Sequence, residues 1–427
     1  MKRMKQMWCR AAVISFVVLL ALVGFAGCGD KGEAAEESSQ AVVLEEVEEP
    51  EPQPEPYYWP LTGIEYGQAL PGEEDDFYYP LSIKIENTPE ARPQLGIARA
   101  DVVYESVTEG GITRFNCLFQ SDIPDYVGPV RSARNSDISI VPEYDGILFF
   151  SGTNSDVWAS LGQTTIKNMP ADIGKGGTDM NLYKRESVRP IGSSRDEDGK
   201  IVVEHGSGGV YSPHNLYLEA GDCYEWAAAY WEKYAWSPVD GNPNRLMFGD
   251  LDPSFVTEEV TEVYMPFSTG TFNPTWVWSA ADNAFLREVD GKPFEDADPA
   301  SGQVKANNVV ILWAPHVLGP FIENKGNPLH INLAGSGEAQ IFRDGVAVKG
   351  KWTTDGTVPP RFVDDSGKEI FLSPGTTWFQ VLDTDKIPTI TGPGGTVTEG
   401  TEEEVLTPEE QAAAEKEAAT WDVEEAA

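Results

Sequence analysis

The chain has 427 residues, a length for two to three domains at about 150 residues each. Its 31 Lys plus Arg stand against 69 Asp plus Glu, a formal charge of −38. That excludes a nucleic-acid binder, which a phosphate backbone would repel at every approach, and a polybasic membrane binder. Four Cys and four His in so long a chain exclude a disulfide-dense scaffold, argue against a multi-ligand zinc module, and point to no cofactor.

Residues 1–28 have the make-up of a secretory signal. Lys2, Arg3, Lys5 and Arg10 precede an apolar run from Ala11 to Ala26. The run is short of the roughly 20 residues a spanning helix needs. It ends in Phe25-Ala26-Gly27-Cys28, which resembles a bacterial lipobox, with Phe25 where a small aliphatic is usual. Cys28 is then the lipidation site, and the expected address is the outer face of the cytoplasmic membrane. A plain cleaved signal and an uncleaved anchor helix are the alternatives. Residues 29–56 follow with ten acids, one Lys, four Pro and no aromatic. Such a segment buries too little apolar surface to offset chain entropy and is expected as a disordered acidic linker.

Residues 57–250 mix strand and helix patterns. Leu81-Ser-Ile-Lys-Ile-Glu86 alternates as a half-buried strand, with Lys84 and Glu86 on the polar face. The runs Asp101–Val107 and Ile112–Phe119 flank Glu109-Gly110-Gly111 as a hairpin, and Ile147–Phe150 suits a buried strand. Residues Gly128–Tyr144 and Ala220–Tyr234 have helical spacing, and Gly174–Gly177 and Gly206–Gly209 suggest loops. From 251 to 385 short alternating runs recur, around Val260–Met265, Thr275–Trp278, Val309–Trp313, His330–Leu333, Gln340–Phe342 and Thr377–Leu382. Asp290-Gly291, Asp344-Gly345, Asp355-Gly356 and Ser366-Gly367 punctuate them as turns. The expected class is α+β: a mixed α/β N-terminal domain, then a mostly antiparallel β domain. Residues 386–427 are expected as an acidic disordered tail, with a local helix signal at Thr407-Pro408-Glu409-Glu410. Without the signal, the linker and the acidic stretch from Thr398 on, residues 57–397 still carry −23.

Standard catalytic signatures are missing: no H-E-x-x-H, no phosphate-binding G-x-x-x-x-G-K-[ST], no G-x-S-x-G, no C-x-x-C. Cys117 lies in an apolar strand and Cys223 at a helix start, and both free thiols and a disulfide are open, with free thiols favoured. Gly128-Pro-Val-Arg-Ser-Ala-Arg-Asn135 is the most suggestive stretch. On a helix opened by Pro129, Arg131, Arg134 and Asn135 share one face, and two guanidinium forks there would clamp a carboxylate or phosphate. Glu105 and Glu109 are the internal partners that would instead consume them. In Ser212-Pro213-His214-Asn215, the proline sets the turn that carries His214, and Asn215 is placed to cap or to orient the imidazole. Trp276, Trp278, Trp313, Trp352 and Trp378 suit sugar stacking or, more often, a core.

In order, Pro80-Leu-Ser-Ile-Lys-Ile-Glu-Asn87, Arg92-Pro93-Gln94, Ala100-Asp-Val-Val-Tyr-Glu105, Glu109-Gly-Gly-Ile-Thr-Arg-Phe115, Gly128-Pro-Val-Arg-Ser-Ala-Arg134 and Pro213-His-Asn-Leu-Tyr217 resemble the YerB-type lipoproteins. So do Gly345 before Gly350-Lys-Trp352, Phe362, and Ile370-Phe-Leu-Ser-Pro-Gly-Thr-Thr-Trp378. The resemblance runs from about Trp59 to Leu382 and implies two domains of unknown function behind a lipid anchor. It supplies no reaction and no catalytic residues. Beside a purely structural envelope protein, two readings remain. One is a membrane-anchored lipoprotein binding a cell-wall polymer, peptide or envelope protein through Arg131, Arg134, Asn135, His214, Asn215, Glu105 and Glu109. The other is a wall-acting enzyme with His214 as acid/base and Arg131 and Arg134 as an anion site.

Overall fold

The computed structural model describes residues 57–67, 79–171, 182–223, 245–268, 272–319 and 327–398. The signal, Cys28, the linker, the tail beyond 398, Gly174–Gly177 and the expected helix from residue 224 onward lie outside the described residues.

Strands dominate, and twelve of them form one mixed sheet. Its path runs Glu369–Ile370, Arg361–Val363, Val346–Thr354, Gly335–Arg343, Asn308–Trp313, Thr377–Leu382, Val102–Val107, Thr113–Phe119, Leu81–Glu86, Ile147–Phe150 and Lys167–Pro170. Val256–Glu259 pairs with Val346–Thr354 beside that path. At its middle Thr377–Leu382 is parallel to both Asn308–Trp313 and Val102–Val107. Strands of both sequence halves therefore share one ladder. Covered on both faces, Asn308–Trp313 and Thr377–Leu382 are almost wholly buried, with Asn308, Thr377 and Gln380 enclosed among their apolar residues. This parallel centre corrects the expectation of a mostly antiparallel second half only locally; the strands around it are antiparallel.

Among the described residues two α-helices account for the α/β character. α1, Asn135–Glu143, lies between Leu81–Glu86 and its parallel neighbour Ile147–Phe150 in chain order, and α2, Ser155–Leu161, precedes the parallel Lys167–Pro170. α1 starts seven residues later than the spacing suggests, because residues 128–134 are extended. The Val130 N–H donates to the Leu216 carbonyl and the Arg131 N–H to that of Lys84, so the backbone of this stretch is already bound in β fashion. The helix opens only where the Asp137 carboxylate accepts the Arg134 N–H at 2.6 Å. Arg131 thus lies outside α1 and Arg134 caps it, and the shared helical face for Arg131, Arg134 and Asn135 does not form. Gly206–Gly209 likewise belongs to the strand Ile201–Gly209, which pairs with Val188–Arg195.

A second, antiparallel sheet orders Lys292–Pro293, Ala284–Val289, Pro274–Ser279, Glu262–Tyr264, Thr389–Thr391 and Val397–Thr398, with Lys305–Ala306 on Ala284–Val289. Asp290-Gly291 and Asp344-Gly345 close two-residue hairpins with positive φ at both positions, the geometry whose twist matches paired strands. The core between the sheets holds Val263, Met265, Trp276 and Phe285 against Phe115, Val309, Ile311 and Trp378. Trp276 meets Trp378 edge-on at 5.2 Å. These indoles are core, and so is Trp352, 2% exposed. Cys117 and Cys223 are free and buried.

Candidate functional site

The strand Leu81–Glu86 is buried at all six positions, not half-buried. Its polar face is covered by residues 128–137 and 211–215, and its charges are matched there. Lys84 Nζ donates to Asp137 Oδ1 at 2.9 Å, and Asn116 Nδ2 donates to the same oxygen at 2.8 Å. Burial pulls the Lys84 ammonium below its ordinary pKa, and Asp137 opposes that pull. Two residues on, Glu86 Oε1 lies 2.7 Å from His214 Nδ1 and accepts the Thr88 hydroxyl at 2.8 Å. Arg131 Nε lies 3.6 Å from the other oxygen. Arg131 and His214 therefore converge, but on a buried carboxylate that the alternating pattern had assigned to solvent.

The remaining candidates go to different places. Arg134 Nε donates to Glu109 Oε2 at 2.6 Å. Glu105 is fully buried and meets Arg287 of the second sheet. Asn215 does not take up the imidazole; its Oδ1 accepts Arg185 Nη1 at 3.0 Å and its Nδ2 donates to the Glu186 carbonyl. Each guanidinium of the expected anion clamp thus faces a carboxylate of the chain itself, Glu86 for Arg131 and Glu109 for Arg134. Sequence reasoning missed Lys84, Glu86, Asp137 and Arg287. The spacing of Asp137 three residues after Arg134 was a capping signal that could have marked the true helix start.

Asn135 opens on a cavity. Together with Ile138 and Ser139 it forms the α1 wall of a groove of about 890 Å³, within the size range of ligand clefts. The facing wall is extended chain carrying His330, Asn332 and Ser336. Glu109 joins the walls: while one oxygen holds Arg134 at the start of α1, the other accepts the Leu329 N–H at 3.1 Å. The Leu333 N–H adds a bond to Ser139 Oγ at 3.2 Å, and His330 Nε2 lies 3.4 Å from Asp156 Oδ2 of α2. At the floor, Trp352 Nε1 donates to the Trp313 carbonyl. Among the described residues no group of three or more His, Cys, Asp or Glu could hold a metal ion.

Two family models match the chain: the N-terminal domain of a protein of unknown function (DUF3048) over residues 67–225, and the C-terminal domain of the same family over 263–379. The chain belongs to this family. Its relative in Bacillus subtilis (strain 168), YerB, whose name carries the lipoprotein designation, is 27% identical over 330 residues, 76% of this chain and 85% of that protein. A crystal structure of YerB from Bacillus subtilis aligns with a TM-score of 0.58 at 25% identity, covering 76% of this chain and 96% of that one. The Glu105–Arg287 pair and the groove both draw on the N-terminal and the C-terminal family segments. Among the described residues no helix is long and apolar enough to cross a membrane.

Proposed function

We propose that this protein is an extracytoplasmic lipoprotein, anchored through Cys28 to the outer face of the cytoplasmic membrane, whose body binds a cell-envelope ligand or partner in the groove beside α1. The body comprises the N-terminal domain, 57–250, and the β-rich C-terminal domain, 251–385. The linker 29–56 and the acidic residues after 398 serve as spacers, whereas Thr389–Thr391 and Val397–Thr398, expected within a disordered tail from 386, are strands of the second sheet. Kinship to a protein designated a lipoprotein supports the anchor, as does the lipobox at Cys28. Two acyl chains suffice for stable membrane attachment.

One observation favours binding over catalysis. The groups that an enzyme reading needs are spent on one another: His214 is 3% exposed against Glu86, and Arg131 and Arg134 are equally enclosed beside their carboxylates. The groove, by contrast, is open and lined by short polar and apolar side chains. The test uses the full chain expressed in a bacterium. Palmitate incorporation and membrane fractionation of wild type and Cys28→Ala report the anchor; label retained in the variant would refute it. Detergent-solubilised wild type and Ser336→Trp are then sedimented with purified sacculi, and the supernatant is analysed for released fragments. Binding lost in the variant, without release, is the expected result. Fragment release abolished by His214→Ala would establish an enzyme instead.

A further inference from the structure

The lining of the groove selects the chemistry of its occupant. Among the described residues that line it there is no Lys or Arg. Its one carboxylate, Asp355, accepts the Thr357 N–H and hydroxyl at 2.9 and 2.7 Å, and these bonds hold it below the usual carboxylate range, ionised at neutral pH. Arg134, next to Asn135 at the start of α1, is 4% exposed and paired with Glu109. With residues 57–397 carrying a net −23, such a cleft repels phosphates, nucleotides and anionic polymers.

The polar groups that remain are amides, hydroxyls and an imidazole: Asn135 and Ser139 one helical turn apart on α1, and His330, Asn332 and Ser336 on the facing segment. Amides and hydroxyls both donate and accept, which matches a ligand whose every hydroxyl also does both. Ile138, Val317 and Ala334 lie among them and offer apolar contact for C–H faces. Most of the strand Gly335–Arg343 offers no free edge to an added peptide. Gly335–Arg343 is paired along Val346–Thr354 on one side. On the other, Ala339–Arg343 is paired with Asn308–Leu312, so that stretch is closed to an added strand.

We infer that the groove takes a neutral, hydroxyl-rich ligand, a segment of uncharged glycan, with Asp355 excluding anionic polymers. This rests on the reading of the groove as the binding site. The test is titration calorimetry on the full chain in detergent micelles with three probes: N-acetylchitotetraose, polyglycerol phosphate and an uncharged peptide of similar length. Wild type is expected to bind the oligosaccharide and neither other probe. Ser336→Trp, at an exposed position, is expected to weaken binding at least tenfold, and Asn135→Ala to weaken it several-fold. Asp355→Lys is expected to admit polyglycerol phosphate. Circular dichroism checks that the variants fold. Binding of the peptide or the phosphate polymer alone to wild type, lost in Ser336→Trp, would overturn the glycan assignment and leave the groove standing. Oligosaccharide binding untouched by Ser336→Trp, or no binding of any probe, would overturn both.

Discussion

Glu105 and Arg287 stand 182 positions apart and meet with both side chains fully buried, Arg287 Nη2 lying 3.0 and 3.1 Å from the two carboxylate oxygens. Glu105 belongs to the twelve-stranded sheet and Arg287 to the second one, so the pair rivets the sheets together. Thr113, Asn87 and Gln380 also donate to the carboxylate. The guanidinium carbon lies 4.1 Å from the centroid of Phe294 and 5.4 Å from those of Phe115 and Trp378, where ring quadrupoles stabilise the cation. Removing one partner strands the other charge in the core. Arg287→Met is therefore expected to cost about 3–5 kcal/mol in urea unfolding, and Glu105→Met/Arg287→Met less than the sum of its single variants. A single variant within about 1 kcal/mol of wild type would show that the pair does not hold the sheets.

Glu109 predicts a different signature, local rather than global. Glu109→Ala removes the acceptor of both Arg134 and the Leu329 N–H, so it is expected to destabilise by about 3 kcal/mol and to free the wall of the groove. Hydrogen exchange at the Leu329 amide should speed up by more than the global loss of stability explains. Arg134→Ala in the same background should restore part of the stability but not the Leu329 protection. Equal protection in wild type and Glu109→Ala would sever Glu109 from the groove.

Much of the strand layout was legible, because each run carries its own evidence. Apolar alternation marked Thr377–Leu382 and Asn308–Trp313, and the Asp-Gly pairs marked hairpins whose positive φ values only such residues take easily. What covers a strand is not written in the strand. Lys84 and Glu86 followed the period-two rule faithfully, yet their face is dry because Arg131, Asp137 and His214 arrive from elsewhere in the chain to neutralise it. The helix from Gly128 failed for the same reason: propensity was local, but the Lys84 and Leu216 carbonyls claimed its first N–H groups. The groove was invisible beforehand, since its walls are separated by nearly two hundred residues and joined only by tertiary bonds. Of its lining, Asn135 alone stood among the site candidates.

Glu143, at the end of α1, makes stability pH-dependent. It is 1% exposed, and desolvation raises its pKa to about 8, the Asp355 charge adding to the rise while a hydrogen bond with Thr354 opposes it. The folded state holds a proton there that the unfolded chain, with an ordinary pKa near 4.5, has released. Stability from this group is therefore fully present below about pH 4.5 and is lost as pH rises to about 8. Asp101, raised by burial to about 6, adds the same sign between about 4 and 6. Burial lowers the His316 pKa, so that site acts oppositely, gaining stability as pH rises toward its ordinary 6.5. Glu143→Gln should flatten the decline between pH 6 and 8 and stabilise the protein above pH 8, on the order of a few kcal/mol. Urea midpoints across that range measure it, and parallel curves for variant and wild type would contradict the assignment.

The two described thiols make the last prediction. Burial pushes Cys117 and Cys223 well above the ordinary thiol range, and their exposure is 0%. The thiolate is the reactive species, so both must be inert while the core is closed. In a full chain carrying Cys9→Ser and Cys28→Ser, iodoacetamide should leave the native protein unmodified and alkylate both sites in urea. Cys117 sits on Thr113–Phe119 in the middle of the large sheet, so its labelling should follow global unfolding. Cys223 follows the single turn Ala220–Asp222, and its thiol donates to the Glu219 carbonyl four residues back. Opening that single turn would expose it, so Cys223 should label faster than Cys117 at low urea. Labelling of Cys117 ahead of Cys223, or of either thiol in the native protein, would contradict this order of opening.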